Sequence, residues 1–561
     1  MLTQGSRIRS WLPRIPWVIS TLLVTLLIAS PLYFIYSEIS KPTGEIWNTL
    51  SEPVEYDGEV LEPAQLGGYL KSTVKDTLII LIGVSISCLI IGVGCAWMVS
   101  AWHFKGKKLL TILLSFPLAI PTYVMAVMMK AVLFEPRNSL MLYVKENYGA
   151  EAMADASIYW KYALAILVLT ASFYPYVFIA ARIAFARQSA TYLESSRVLG
   201  RSMWQTFICV ALPLARPAII AGLMLVVLET LNEYGAMKII GVTTFTTEIF
   251  RYEAEELNTA VRLAGILILI VFVALIAERI LRGGKKYHTH RSSAHEFQGP
   301  TLQRKGTFIV WVIGLLVLTI SLIIPLYKLI QQASLALPET DITPYLALMG
   351  SSAWLALKAS FFIILVALVI TYTYRILPKW WVMLCNKISL LGYAIPGAIL
   401  GVVLLSVKGT MHQSSYSDFA QYIFHGSAIG LILAYLIRFL TVGYNPLDAG
   451  FKQISPRLDE ASQSLGRGKL YTLFRIHIPL LRYSFLAGIV VLFVDIMKEL
   501  PLTLILRPSN FETLATKTYG LFAAEERIPE GCIPALILII TSLLGLILLS
   551  TLLNRKSTNR L

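Results

Sequence analysis

Charge is scarce in this chain. Asp, Glu, Lys and Arg make up 14% of its 561 residues, against about 25% in a soluble globular protein. That deficit excludes an ordinary soluble enzyme, and the 56% hydrophobic content excludes a disordered or fibrous chain. Cysteine is sparse too. The five present (Cys88, Cys95, Cys209, Cys385, Cys532) form no CxxC pair, and four lie within or at the edge of apolar stretches. Neither a disulfide framework nor a zinc site is expected, and they read as small packing residues. No G-x-x-x-x-G-K-[ST] loop occurs, so the chain lacks the cradle in which P-loop proteins hold phosphates.

What is present is apolar residue gathered into blocks. Each runs to about 20 residues between short polar gaps, long enough to cross a bilayer as a helix. The fold class expected is an all-α, multi-pass integral membrane protein. Twelve spans are read near 17–36, 77–100, 109–134, 162–182, 218–240, 262–281, 308–330, 353–374, 382–407, 427–445, 483–505 and 532–553.

The net charge of +15 follows topology rather than a nucleic-acid partner. The loop after the fourth span carries Arg187, Arg197, Arg201 and Arg216 against one acid, Glu194, whereas the loop after the first holds Glu38, Glu45, Glu52, Glu55, Asp57, Glu59 and Glu62. Such alternation marks basic loops as cytoplasmic. Arg7, Arg9 and Arg14 precede an apolar stretch, Trp17 to Tyr36, that is too long for a signal-peptide core. It reads as an uncleaved signal anchor with the N-terminus inside. Twelve spans then put Arg555, Lys556 and Arg560 at the C-terminus inside as well. The polar segment 282–307 reads as a cytoplasmic linker between a first half, 1–281, and a second, 308–561. His288, His290 and His295 within it read as solvated linker residues rather than a metal site.

The two halves are repeats. Glu194-Ser195-Ser196, Gly200 and Val210-Ala211-Leu212-Pro213 recur as Glu460-Ala461-Ser462, Gly466 and Ile476-His477-Ile478-Pro479, every element displaced by 266 residues. The register runs on: Glu229 maps on Asp495 and Glu233 on Glu499. Ala119-Ile120-Pro121 echoes Ala394-Ile395-Pro396 at a slightly different offset. Both halves run inside to inside, so the repeat is parallel, about an axis along the membrane normal. The motif sits in basic cytoplasmic loops, about 187–217 and 446–482. There a short helix can end at Gly200 or Gly466 and a second can follow to the proline.

Glu-Ala-Ala, three residues, Gly, nine residues, then Ile-x-Leu-Pro resembles the EAA signature of permease subunits of binding-protein-dependent ABC importers. The second copy matches closely; the first has Ser195-Ser196 for the alanines and Val210 for Ile. The resemblance implies a type I ABC importer-like fold of two parallel six-helix repeats in a bacterial inner membrane. It also implies a coupling helix in each loop that docks on an ATPase subunit, with Glu194, Ser195, Ser196, Gly200, Glu460, Ala461, Ser462 and Gly466 as the ATPase-coupling residues. Two copies imply two ATPase subunits. ATP and Mg belong to those partners; this chain is no enzyme and binds no cofactor of its own.

Ionisable residues inside spans face a bundle interior or a cavity, because lipid exposure costs roughly 2.5–3.5 kcal/mol each. Glu229 and Glu233 stand four apart and share one helical face, as do Asp495 and Glu499, and the 266-residue register places the four carboxylates around one pseudo-twofold axis. Hard, oxygen-seeking cations suit such a carboxylate-lined path. Tyr174, Tyr176 and Tyr234 can add oxygens. The other reading is structural, with Lys498 and Lys238 neutralising acids in buried pairs. Gly235 and Pro501, matched in the repeat, are placed to break both helices, and interrupted helices at matched positions point to a transport path.

The stretches 174–185, 228–252 and 495–519, above all Lys498-Glu499-Leu500-Pro501 with Arg507-Pro508, resemble ferric-iron ABC permeases of the fused type. That resemblance implies ferric iron as transported substrate and a periplasmic iron-binding protein as partner. It leaves Glu229, Glu233, Asp495, Glu499, Tyr174 and Tyr176 as translocation-pathway candidates, with Glu233 and Glu499 as metal-contacting ones. The alternatives are a permease for thiamine, a polyamine or a phosphonate, which share the EAA motif, and a secondary transporter, which has no use for duplicated EAA loops.

Overall fold

The computed structural model describes residues 15–44, 46–48, 55–56, 59–60, 68–187, 195–282, 300–412, 428–508 and 510–558. In hydrocarbon every backbone N–H and C=O must bond within the protein, so long apolar runs fold as helices. Among the described residues helix is the rule. The exception in strand form is a two-residue antiparallel hairpin, Glu55–Tyr56 with Glu59–Val60.

Ten helices are long and apolar enough to cross a membrane, and twelve spans result if each of two bent pairs counts as one. Their outward faces are apolar: Leu26, Ile90, Ile280, Phe308 and Leu316 each leave 64–72% of their surface uncovered. Water would penalise such a surface, whereas lipid does not. This is a multi-pass membrane protein.

The spans differ from straight rods at matched places. The third, expected over 109–134, is Lys107–Ala119 followed by Thr122–Val132 with a 96° bend; the ninth is Trp380–Ala394 followed by Gly397–Leu405 with a 100° bend. Both bends fall on the Ala-Ile-Pro echo. Proline pushes the residue before it out of the helical region, and Ile120 (ψ 118°) and Ile395 (ψ 119°) are extended accordingly. The fifth and eleventh spans also stop short. Met203–Asn232 and Lys469–Met497 are continuous helices, and Gly235–Ile240 and Pro501–Leu506 follow as separate short ones. The helix breaks therefore fall where Gly235 and Pro501 predict them.

Packing divides the chain into two compact units. One joins residues of the second half to the helix Ile15–Ile39, which packs on Thr343–Ile376 and Trp380–Ser389. There Thr25 Oγ1 lies 3.0 Å from Ser389 Oγ, and the Thr373 hydroxyl donates to Trp17 O at 3.2 Å. The other unit joins residues of the first half to Arg304–Ala336, with Trp311 Nε1 donating to Lys105 O at 3.1 Å. The packing units thus exchange the first helix of each chain-order half. All five cysteines are free: Cys88, Cys95 and Cys532 are buried, Cys385 is half-buried and Cys209 exposed.

Candidate functional site

The two motif loops fold alike. Glu194 lies outside the described residues, as do His288, His290 and His295. Residues 195–198 are helical, and Arg457–Ser464 forms the corresponding helix in the second loop. Gly200 (φ +82°) and Gly466 (φ +71°) end them in the left-handed region, which glycine alone enters without strain. Arg201 N–H donates to Ser196 O at 3.2 Å and Gly200 N–H to Arg197 O at 3.0 Å; Arg467 and Gly466 repeat the pattern at 3.0 and 2.9 Å. This is the Schellman closure of a helix end.

Behind each turn sits a buried hydroxyl pair, Ser196 Oγ to Thr206 Oγ1 at 3.1 Å and Ser462 Oγ to Thr472 Oγ1 at 2.7 Å. A five-residue π-helical bulge follows at Phe207–Ala211 and again at Leu473–His477. Ser196 and Ser462 therefore face inward and hold the loop in shape, whereas Ser195, Glu460 and Ala461 are exposed. Beside them Val198, Leu199, Trp204, Leu465, Leu470 and Phe474 are also exposed.

Glu233 and Glu499 occupy equivalent helix breaks. Glu233 is the C-cap of its helix with extended backbone (ψ 119°), and Glu499 follows the C-cap Lys498. Each therefore leaves the helical face it was expected to share with Glu229 or Asp495. Each carboxylate turns back over the next short helix: Oε1 of Glu233 accepts the Ala236 N–H at 2.9 Å, and Oε1 of Glu499 accepts the Leu502 N–H at 3.1 Å. A negative charge at a helix N-terminus satisfies an otherwise unbonded amide.

The second oxygen is treated differently in the two halves. Glu233 Oε2 accepts the Thr122 hydroxyl at 2.6 Å. Glu499 Oε2 lies 3.3 Å from Arg438 Nε, both side chains nearly fully buried. Gly397, which stands where the first half has Thr122, leaves the guanidinium its room. A Cβ there would stand 2.9 Å from an Arg438 terminal nitrogen and 3.0 Å from Glu499 Oε1. Sequence reasoning missed Arg438, although an arginine inside an apolar span was itself a signal.

The remaining candidates scatter. Asp495 pairs with Lys498 at 3.1 Å, and Glu229 is half-buried within its helix. Tyr174 is buried and donates its hydroxyl to Leu114 O at 2.9 Å, while half-buried Tyr176 lies 6.1 Å from the Phe173 ring. Tyr234, beside Glu233, stacks on Phe250 at 3.8 Å and stands 5.9 Å from Tyr519. Among the described residues no three His, Cys, Asp or Glu side chains converge as a resident metal site.

A family model described as "Binding-protein-dependent transport system inner membrane component" matches residues 89–281, a range that contains the first motif loop and the Glu233 break. Over 451 residues the chain is 25% identical to the Fe(3+)-transport system permease protein FbpB 2 of Haemophilus influenzae, covering 79% of this chain and 82% of that one. Residues 89–281 of this chain are thus similar to the binding-protein-dependent transport permeases. The chain is also 24% identical over 472 residues to the ferric transport system permease protein FbpB of Actinobacillus pleuropneumoniae, spanning 79% of its own length and 66% of the relative's. To the sulfate transport system permease protein CysT of Escherichia coli it is 24% identical over 278 residues, 47% of this chain and 91% of that one.

Proposed function

We propose that this permease carries ferric iron, delivered by a periplasmic binding protein, across a bacterial inner membrane by alternating access. Twelve spans in two parallel repeats form the path, with both termini cytoplasmic. Two ATPase subunits dock on the two coupling helices. Glu194, Ser195, Gly200, Glu460, Ala461 and Gly466 form or shape the contact surface, and Ser196 and Ser462 brace it from behind. Large apolar residues exposed on loops mark a surface made for a partner, and Val198, Leu199 and Leu465 are of that kind. Closure of the ATPase pair draws the coupling helices together and opens the permease outward; hydrolysis on the partners resets it.

The observation that carries the cargo is the likeness, over 79% of the chain, to a relative whose name specifies Fe(3+) transport. The carboxylate at the first helix break supports it, because a cation gains and an anion loses beside Glu233, while Glu499 already has the Arg438 guanidinium against it. Glu229, Asp495, Tyr174 and Tyr176 contribute to the frame of the path, and Tyr234 is placed beside its acid. The sulfate relative matches under half of the chain; a thiamine, polyamine or phosphonate cargo has no comparable support. The test is uptake in cells lacking this chain. Complementation is expected to restore accumulation of radiolabelled ferric iron and leave sulfate uptake unchanged; restored sulfate uptake without iron would overturn the cargo.

A further inference from the structure

The junction between each coupling loop and its spans is built at the same place in both halves but from different chemistry. The helices Gly68–Ala101 and Thr343–Ile376 have equal lengths, 34 residues, and align at a displacement of 275, which sets Tyr372 on Trp97 and Arg375 on Ser100. The 266-residue register sets Asp459 on Leu193, Phe451 on Phe185, Leu473 on Phe207 and His477 on Ala211. In the first half the junction is aromatic: Trp97 lies 5.4 Å from Phe185 and 5.0 Å from Phe207, all three buried.

In the second half it is ionic. Arg375 Nε donates to Asp459 Oδ2 at 2.8 Å, and its terminal nitrogens donate to Phe451 O at 2.9 Å and Ile454 O at 3.1 Å. His477, with no exposed surface, has Nε2 2.7 Å from Asp459 Oδ1 and its ring 5.5 Å from both Tyr372 and Phe451. Asp459 lies in the first turn of the coupling helix. Through its two oxygens it is held at once by the end of Thr343–Ile376 and the start of Lys469–Met497, while Arg375 also grips the end of Ile429–Phe451. Charge-assisted, forked hydrogen bonds fix direction as well as distance, whereas apolar contact is non-directional.

We propose that Asp459, clamped by Arg375 and His477, is the positioning residue that makes the second coupling helix move as one body with its three spans, a clamp that Leu193, Ser100 and Ala211 at the equivalent positions of the first half have no side chains to form. The second coupling helix then transmits its displacement directly to the spans that hold Asp459. This rests on the permease reading, and its test uses no cargo. Spin labels go on Ser464→Cys and Lys379→Cys, in a chain with Cys209→Ser and Cys385→Ser, purified with its ATPase in lipid nanodiscs. The label distance is measured by pulsed EPR without nucleotide and after trapping with ATP and vanadate.

With Asp459 intact the distance is expected to hold within about 2 Å between the two states, and with Asp459→Asn to change by about 5 Å, one helical turn, on trapping. His477→Gln, whose amide reaches the same carboxylate oxygen, is expected to keep the tight distance and His477→Ala to lose it. A distance that holds in Asp459→Asn, or one that already changes with Asp459 intact, overturns the clamp. Loss of the ATPase only in Asp459→Asn also overturns it, making Asp459 a docking residue. Failure of the unsubstituted chain to retain any ATPase counts instead against the permease reading.

Discussion

Two glutamates in matched positions are held by unlike partners, a hydroxyl in one half and a guanidinium in the other, and the reason lies in one residue. Where the first half has Thr122, whose hydroxyl reaches Glu233, the second has Gly397, and the space admits Arg438 beside Glu499. Removing one partner of a buried pair leaves the other charge uncompensated, at a cost of about 3–5 kcal/mol. Arg438→Met is therefore expected to destabilise the permease by that order, and Arg438→Met with Glu499→Gln to recover most of it, as read by thermal unfolding in detergent. Equal losses in the single and double variants would deny the coupling. The acids were legible in the sequence because carboxylates inside apolar spans are conspicuous. Their partners were not, because Arg438 and Gly397 approach Glu499 only through the fold.

At the level of elements, spacing in the sequence foretold most about the coupling loops. A motif with Gly200 and Gly466 at one offset from a repeated Glu implies a helix, a left-handed turn and a second helix, and the structure has each. No Cβ contact lies within 4 Å at either glycine, so the effect of Gly466→Ala is a backbone effect alone. Forcing alanine into the left-handed region costs about 1–2 kcal/mol. Gly466→Ala is expected to weaken binding of the purified ATPase about fivefold to thirtyfold, and Gly466→Asn, which tolerates that region better, less so. Unchanged binding by Gly466→Ala would show that the turn does not set the docking surface. Span shape was less legible. Hydropathy counts apolar residues without reporting direction, so the bends before Pro121 and Pro396 went unread although the prolines were visible, whereas the early ends at Asn232 and Met497 were legible in Gly235 and Pro501.

For the whole molecule, chain order and packing diverge. A repeat read from sequence pairs 1–281 against 308–561, whereas contacts put Ile15–Ile39 with the second half and Arg304–Ala336 with the first. Similarity between repeats reports ancestry of segments, not which helix a segment packs against, so this exchange was not to be found by alignment of the halves. A permease expressed as two fragments cut within 283–299 is expected to assemble when both are present, and the second fragment alone to unfold at lower temperature for want of Ile15–Ile39. A second fragment of full stability by itself would contradict that packing. Passage of ferric iron by way of the helix-break acids is tested by uptake of radiolabelled ferric iron in cells whose chain carries Glu233→Gln and Glu499→Gln, with Arg438→Met to keep the second site neutral. At matched membrane level and ATPase retention, uptake is predicted to fall at least about tenfold, the equivalent of 1.4 kcal/mol in the passage barrier; uptake equal to that of the unsubstituted permease would contradict the account.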